Sequence, residues 1–184
     1  GIMLASAAKE YMKVYGVIVG KKPIIFTNND SGYETAIEFK KNGIDPLILD
    51  VRSNSESSVV KEAKNLKINI KFSYGVVNAL GYKKVNSAVI GKLNKEKSGY
   101  DSLENISCDC ICVSGNWTPT VHLSSQSGNK LKFDDEINAF VPNQSRQHES
   151  TIGSARGLFT LKETLEEGFT KGYDLSKKIT GKDL

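Results

Sequence analysis

The chain has 184 residues, of which 39% are hydrophobic and 25% are charged, and its formal net charge is +4 at pH 7. These values predict a soluble, globular protein that is long enough for one ordinary domain or one and a half small ones. Its lysines are spread among acidic residues, which argues against nucleic-acid binding, and no apolar run approaches the roughly 20 residues that a membrane span requires. Because no basic leader precedes the first apolar residues, we expect a cytoplasmic protein.

A helical pattern opens the chain. Apolar side chains recur on one face from residue 3 to about residue 15, and Gly16 ends the pattern. They are Met3, Leu4, Ala7, Ala8, Tyr11, Met12 and Tyr15. We predict an N-terminal helix and connector over residues 1–21, whose apolar face needs another layer to cover it.

A strand and a helix follow between Pro23 and Ala36, joined by a turn that is placed like the dinucleotide-binding pattern G-x-G-x-x-G. The three glycine positions of that pattern hold Thr27, Asn29 and Gly32. The glycine that lets the helix pack on the strand is retained. The two positions at which glycines would admit the phosphates hold residues with side chains instead. Ser31-x-x-Glu34 has the form of a capping box for the helix. The sequence therefore predicts a Rossmann-like unit with an altered ligand site.

The second strand of this unit, Pro46 to Asp50, ends in a carboxylate that can accept a hydrogen bond from a ribose 2′-OH. Arg52 favours a 2′-phosphate instead, and Asp30 adds negative charge at a helix N-terminus that should receive an anion. Asp30 can cap that helix in place of a ligand. Two interpretations stay open, an NAD site or a Rossmann unit that has lost its ligand, and we favour the second. The candidate cofactor contacts are Thr27, Asn29, Gly32 and Asp50.

Short strands follow, and their alternating side chains predict an antiparallel meander. Val76 to Leu80 and Lys84 to Leu93 are the strands of this meander, and Lys67 to Phe72, before them, alternates as a strand with one exposed face. An apolar strand from Cys108 to Ser114 closes the unit. This order predicts an α/β fold with a Rossmann-like, three-layer domain of nucleotide-binding type.

Three cysteines lie at every second position of the last strand, Cys108, Cys110 and Cys112. Period-2 spacing predicts that the thiols share one strand face as buried groups, because a zinc site needs a turn and a fourth ligand. The two histidines, His122 and His148, have no nucleophile or acidic partner at a fixed spacing. We therefore predict neither a catalytic residue nor a metal ligand in this chain.

The remainder of the chain predicts a small hairpin and two helices. Lys130 to Asp134 and Asn138 to Pro142 alternate as two strands, and Thr151 to Gly157 resembles a strand end that opens onto a helix. The helices are expected from Phe159 to Glu167 and from about Phe169 to Ile179, with Gly168 between them.

Four runs of residues together resemble the alpha subunit of heterotetrameric sarcosine oxidase. They are Gly1 to Ala5, Phe26 to Ser31, Val113 to Leu123 and Ser125 to Leu131. The resemblance covers nearly the whole chain and implies a fold like that of the pyridine-nucleotide-disulfide oxidoreductases. It implies an inserted NAD(P)-type domain over residues 22–115 and, over residues 116–184, a returning part of the first dinucleotide-binding domain. The family's alpha subunit is far longer, so the chain is expected to be a central fragment.

In that family the complex converts sarcosine to glycine by oxidative demethylation, forms hydrogen peroxide and passes the one-carbon unit to tetrahydrofolate. The resemblance therefore implies beta, gamma and delta subunits as partners and an oxidoreductase activity that the isolated chain lacks. It also implies that FAD, FMN and tetrahydrofolate are bound only in the full complex. The alternative is a separate NAD(P)-binding domain of an oxidoreductase that works with a flavoprotein partner.

The resemblance also implies part of an NAD site near the C-terminal helix. In such folds the returning segment touches the dinucleotide through backbone N–H groups, and Gly153 and Gly157 permit a close approach. Ser154-Ala155-Arg156 stands where flavoproteins have an acidic residue, which suits NAD better than FAD. The candidate contacts are Gly153, Arg156, Gly157, Leu158 and Thr160.

Overall fold

The computed structural model describes residues 1–96, 98–115, 117–135, 137 and 139–181. The chain divides into two compact units, which we call the sheet unit (Gly1–Asn116) and the hairpin unit (Trp117–Leu184). The strands of the sheet unit are β1 (Ile2–Leu4), β2 (Pro23–Thr27), β3 (Leu47–Asp50), β4 (Asn69–Phe72), β5 (Tyr74–Leu80), β6 (Ser87–Leu93), β7 (Tyr100–Ser107) and β8 (Cys110–Ser114). Its helices are α1 (Ala5–Tyr15), α2 (Ser31–Lys41) and α3 (Ser58–Asn65).

Two sheets organise the sheet unit. Five parallel strands form one sheet in the order β1-β8-β2-β3-β4, and β5, β6 and β7 form an antiparallel meander. The parallel strands in the middle are nearly continuous apolar runs, as expected for strands that are covered on both faces. Their register brings Thr27 level with Asp50 on one side and with Ser114 on the other.

Alternating side chains divide the core into two layers. Ile25 and Ile48 pack with the helices in one cluster, which also contains Tyr33 and Phe39. Their strand neighbours Ile24, Leu49 and Ile111 pack on the opposite face with residues of the meander. The order of layers is therefore helices, parallel sheet and meander, which confirms the predicted α/β, Rossmann-like fold class.

The start of the chain differs from the prediction. Ile2–Leu4 forms a strand that pairs in parallel with β8, and α1 begins only at Ala5. Leu4 has extended dihedrals, φ −66° and ψ 140°, so the expected helix from residue 3 is wrong at its first turn. Three residues are too few to reveal a strand period, which is why the pattern was assigned to the helix. Ala5, Ala8 and Met12 are buried in the sheet unit itself.

Three further strands begin two or three residues later than predicted. The expected strand from Lys67 begins at Asn69. The expected strand from Lys84 begins at Ser87, because the preceding residues form the turn between β5 and β6, where Gly81 has a positive φ of 149°. The expected strand from Cys108 begins at Cys110.

The hairpin unit contains α4 (His122–Gln126), β9 (Lys130–Asp134), β10 (Ala139–Gln144), a 3-10 turn (Gly153–Arg156) and α5 (Leu161–Thr180). The predicted hairpin is present, with β9 antiparallel to β10, although Asn138 lies outside the described residues. The strand end expected after Thr151 is absent from the described residues of that segment, which are irregular before the 3-10 turn. The two predicted helices are one, because α5 runs through Gly168, whose cost of about 1 kcal/mol a long helix tolerates.

Candidate functional site

The carboxyl ends of β2 and β8 lie side by side in the parallel sheet. In open parallel sheets, ligands bind in the crevice outside the carboxyl ends of the strands. The turn after β2, which carries the altered glycine pattern, and Gly115 after β8 form the two sides of this crevice.

Asn29 bridges the crevice with its side chain. Its Nδ2 donates to the carbonyl of Gly115 at 2.5 Å, and its Oδ1 accepts from the backbone N–H of Ser31 at 3.0 Å. The Ser31 hydroxyl donates to the same Oδ1 at 2.6 Å and lies 2.7 Å from the hydroxyl of Ser114. An N–H at a helix start is the group that a bound phosphate uses. The amide oxygen of Asn29 therefore has the partner that a nucleotide phosphate would need.

Thr27 and Gly32 fix the turn on which this bridge depends. The Thr27 hydroxyl donates to the carbonyl of Asn29 at 2.8 Å and accepts from its N–H at 3.2 Å. A Cβ added at Gly32 would lie 2.7 Å from the Cβ of Thr27, so this glycine permits the predicted close crossing of helix and strand. The expected capping box is wrong, because Ser31 is already inside α2 and Glu34 pairs with Lys9 at 2.5 Å.

The carboxylate of Asp50, which was expected to meet a ribose, is fully buried and already has protein partners. Tyr33 donates its hydroxyl to Asp50 Oδ2 at 2.7 Å. Arg52 donates Nη2 to Oδ2 at 2.8 Å and its backbone N–H to Oδ1 at 3.0 Å. Burial and the bond to Asp50 raise the pKa of Tyr33 well above its usual value, so it remains a donor.

Asp30 also differs from its predicted role. It occupies the N-cap position of α2, but its side chain makes no capping hydrogen bond. Its Oδ1 instead lies 2.8 Å from Nη1 of Arg52. Burial opposes the charge on the guanidinium, yet the two carboxylates raise the pKa of Arg52. Arg52 is therefore held between Asp30 and Asp50, and a 2′-phosphate would have to compete with both.

A cleft of about 510 Å³ lies in the hairpin unit and includes three residues of the predicted NAD segment, Arg156, Gly157 and Leu158. Its walls carry mixed charge, with Lys132 and Lys171 among the lining residues. No sequence pattern pointed to these two lysines, because neither stands in a motif.

Gly153 and Thr160 have partners inside the hairpin unit. The N–H of Gly153 donates to Oε2 of Glu167 at 2.7 Å, and Arg156 Nη1 lies 2.8 Å from Oε1 of the same carboxylate. Thr160 caps α5, since its hydroxyl accepts from the N–H of Glu163 at 3.3 Å and donates to its carboxylate at 2.5 Å. The N–H groups of Gly157 and Leu158 also donate within the segment, to the carbonyls of Ser154 at 3.2 Å and Gly153 at 3.1 Å. The expectation that these backbone N–H groups are available to a dinucleotide is therefore wrong for Gly153, Gly157 and Leu158.

All three cysteines are buried and free, as predicted, but they do not share one strand face. Cys110 and Cys112 lie in the helix-side cluster, whereas Cys108 precedes β8 and lies in the meander-side cluster. Within the described part of the chain, no three His, Cys, Asp or Glu side chains are grouped to hold a metal ion. Across the same residues, none of the helices combines the length and apolar character needed to cross a bilayer.

Comparison with known proteins places these observations in context. No protein-family model matches the chain. The chain is similar to sarcosine oxidase subunit alpha. It is 28% identical over 174 residues to that subunit from Corynebacterium sp. (strain P-1), which covers 94% of this chain and 18% of the relative. The subunit from Rhizobium meliloti (strain 1021) is 26% identical over 180 residues, 97% of this chain and 17% of the relative. The resemblance read from the sequence is confirmed, and the chain spans less than a fifth of these relatives.

Solved structures show the same fold. Thioredoxin reductase from Lactococcus lactis matches with a TM-score of 0.72 at 14% identity, over 99% of this chain and 59% of that chain. The flavoprotein disulfide reductase RclA from Escherichia coli matches with a TM-score of 0.66 at 11% identity, over 95% and 39% of the two chains. At these identities the likeness concerns the fold alone.

Proposed function

We propose that this chain is part of an oxidoreductase of the sarcosine oxidase type, in which the sheet unit is a scaffold and the hairpin unit contributes part of an NAD site. Similarity to subunit alpha along nearly the whole chain supports the class of enzyme. The observation that carries the assignment of roles is the hydrogen-bonded closure of the crevice between β2 and β8.

Energetics favour the scaffold role for the sheet unit. A nucleotide in the crevice would have to break the bonds of Asn29 to Gly115 and Ser31, each worth about 1 kcal/mol. It would also have to separate Arg52 from a buried carboxylate, and disrupting such a pair costs about 3–5 kcal/mol. The protein's own side chains therefore oppose NAD at Thr27, Asn29, Gly32 and Asp50.

The hairpin unit retains an accessible cleft at the residues that the resemblance assigns to NAD. Gly157 and Leu158 line it, and Lys132 and Lys171 add positive charge that suits a pyrophosphate. In this proposal, hydrogen bonds to Glu167 and Glu163 fix the conformation of the segment. The residues that make these bonds are Gly153, Arg156 and Thr160.

The finer function is proposed from the family resemblance. The reaction is the oxidative demethylation of sarcosine to glycine with formation of hydrogen peroxide, and the one-carbon unit passes to tetrahydrofolate. FAD, FMN and tetrahydrofolate bind elsewhere in a cytoplasmic complex with beta, gamma and delta subunits. In this proposal the chain alone is inactive, because the amine-oxidising centre lies elsewhere in the complex.

Two measurements test the proposal. The purified chain should form no hydrogen peroxide from sarcosine, and peroxide formation would contradict the assignment of roles. Calorimetric titration with NAD and NADP should give dissociation constants weaker than about 10 μM, which corresponds to about −7 kcal/mol. Tighter binding that is lost in Asn29→Ala would instead support the alternative, a separate NAD(P)-binding domain that serves a flavoprotein.

A further inference from the structure

The helix α5 carries an apolar stripe along one face. Apolar residues and glycines recur on it at intervals of alternately four and three positions, which is the spacing of two helices that pack side by side. They are Leu161, Leu165, Gly168, Gly172, Leu175 and Ile179. Leu165 is 63% exposed, and no residue of α5 is buried. The described residues of the hairpin unit therefore leave this stripe uncovered.

The centre of the stripe is open. Gly168 and Gly172 lie about one turn apart, and a Cβ added at either glycine would meet no atom within 4 Å. Both line a shallow, apolar depression of about 560 Å³, together with Phe169 and Tyr173. Small residues four positions apart on a helix allow the backbone of a second helix to approach closely. The depression therefore suits a helix as its occupant.

The stripe is symmetric about the middle of α5. Each of its residues has a counterpart of similar kind at the same distance on the other side of Thr170. The pairs are Leu161 with Ile179, Leu165 with Leu175, and Gly168 with Gly172. A two-fold axis at Thr170 would place each residue opposite its counterpart in an antiparallel copy. An interface between two identical surfaces requires this self-complementarity, whereas a covering segment of different sequence does not.

The charges of α5 match the same arrangement. Residues 161–170 contain three glutamates and one lysine, whereas residues 171–180 contain three lysines and one aspartate. Antiparallel pairing places the acidic half of one helix along the basic half of the other and opposes the two helix dipoles. Parallel pairing would bring like halves together. Charge therefore favours an antiparallel copy.

We propose that the apolar stripe of α5 is a dimerisation surface, on which the α5 helix of a second copy of this chain docks antiparallel. Each chain contributes one helix, so the contact is smaller than the interface of about 800 Å² per partner that stable complexes form. We therefore expect reversible association with a dissociation constant of about 10–100 μM. This surface does not depend on the proposed function.

Sedimentation equilibrium of the chain from about 5 μM to about 500 μM tests the association. We expect a shift from monomer to dimer across this range. Gly172→Leu should raise the dissociation constant at least tenfold, because it fills the depression, while leucine still favours the helix. Thr170→Leu is the matched control, since it adds the same side chain on the opposite face of α5, and should change the constant less than twofold. A wild-type chain that stays monomeric, or equal losses in the two variants, would overturn the proposal.

Crosslinking tests the orientation. In the antiparallel dimer, residue 165 lies opposite residue 175 of the other copy and about 15 Å along the axis from its own equivalent. A bismaleimide too short to span that distance should therefore crosslink a mixture of Leu165→Cys and Leu175→Cys, but neither variant alone. The native cysteines are buried, so the wild-type chain should give no product. Crosslinked dimers in each single variant, or none in a mixture that sediments as a dimer, would contradict the antiparallel arrangement.

Discussion

Each unit has a junction that leads into a helix. The strand-to-helix junction of the sheet unit is filled by the protein's own side chains, whereas the turn-to-helix junction of the hairpin unit lines a cleft. In the sheet unit, Asn29 and Arg52 bind the polar groups that a nucleotide would use, and a two-layered core lies behind them. In the hairpin unit, Ala139 and Val141 are the buried hydrophobic residues among those described, and α5 buries none. Leu161, Phe169 and Ile179 on α5 are 75%, 78% and 83% exposed. One unit is stabilised by its interior, whereas the other relies on local bonds.

Local bonds explain why α5 is nevertheless a single helix. Thr160 caps its start, and Lys162 faces Glu166 one turn later. Such contributions are worth about 1 kcal/mol for a cap and a few tenths for a surface pair. The comparison therefore predicts that substitutions at the junction are costly in the sheet unit and mild in the hairpin unit.

The largest effect is expected at the buried carboxylate of the sheet unit. Asp50→Asn should lower the free energy of unfolding by about 3 kcal/mol, because it leaves Arg52 without its buried partner. Asp30→Asn removes the other, more exposed partner of Arg52 and should cost less than about 1 kcal/mol. Urea unfolding of both variants measures the difference, and equal costs would show that burial of Asp50 is not what matters.

The next effect is expected at the helix crossing. Gly32→Ala should lower the unfolding free energy by about 2 kcal/mol, since the new methyl group would overlap Thr27. Gly115→Ala is the matched control, because its Cβ would meet no atom within 4 Å, and it should change stability by less than about 0.5 kcal/mol. A tolerated Gly32→Ala would mean that the crossing is looser than described.

A smaller, pH-dependent effect is expected at Asp109. Burial opposes its charge, but the N–H groups of Lys21 and Lys22 hold its pKa below the usual value. Its folded-state pKa is thus below the unfolded-state value of about 3.9. The stabilisation is therefore complete above that value and is lost as the pH falls through the folded-state pKa.

Urea unfolding between pH 3 and pH 6 tests this effect. Asp109→Asn should cost about 1 kcal/mol at pH 6 and progressively less toward pH 3. Asp45→Asn, which alters a carboxylate that is 84% exposed, is the surface control for the same measurement. A profile of Asp109→Asn parallel to that of the wild type would contradict the charge-based explanation.

The smallest effect lies in the hairpin unit and has the opposite sign. Gly168→Ala should stabilise α5 by up to about 1 kcal/mol, because its Cβ would meet no atom within 4 Å and alanine favours a helix. Circular dichroism should record an increase in helix content. A loss would indicate that this face of α5 is packed against something that tolerates only glycine.

The sequence predicted those features that depend on local pattern. Gly32 and the alternation of apolar residues were enough for the strand-helix crossing and the three layers. The strand Ile2–Leu4 was missed because its pairing with β8 joins residues more than 100 positions apart. The closure of the crevice was missed for the same reason, since Asn29 meets Ser114 across 85 positions. Such contacts depend on how strands that are distant in sequence align in the sheet, and a local sequence pattern does not indicate that alignment.

The most direct test of the central claim is an NMR titration of the folded, isotope-labelled chain with NAD at millimolar concentration. Closure of the crevice by Asn29 predicts no shift for the amide of Ser31, because the Asn29 side chain occupies the crevice beside it, and shifts for Gly157 and Leu158, because these residues line the cleft. Shifts at Ser31 and at Arg52, with none at Gly157 or Leu158, would show that the sheet unit binds the nucleotide and would contradict the account.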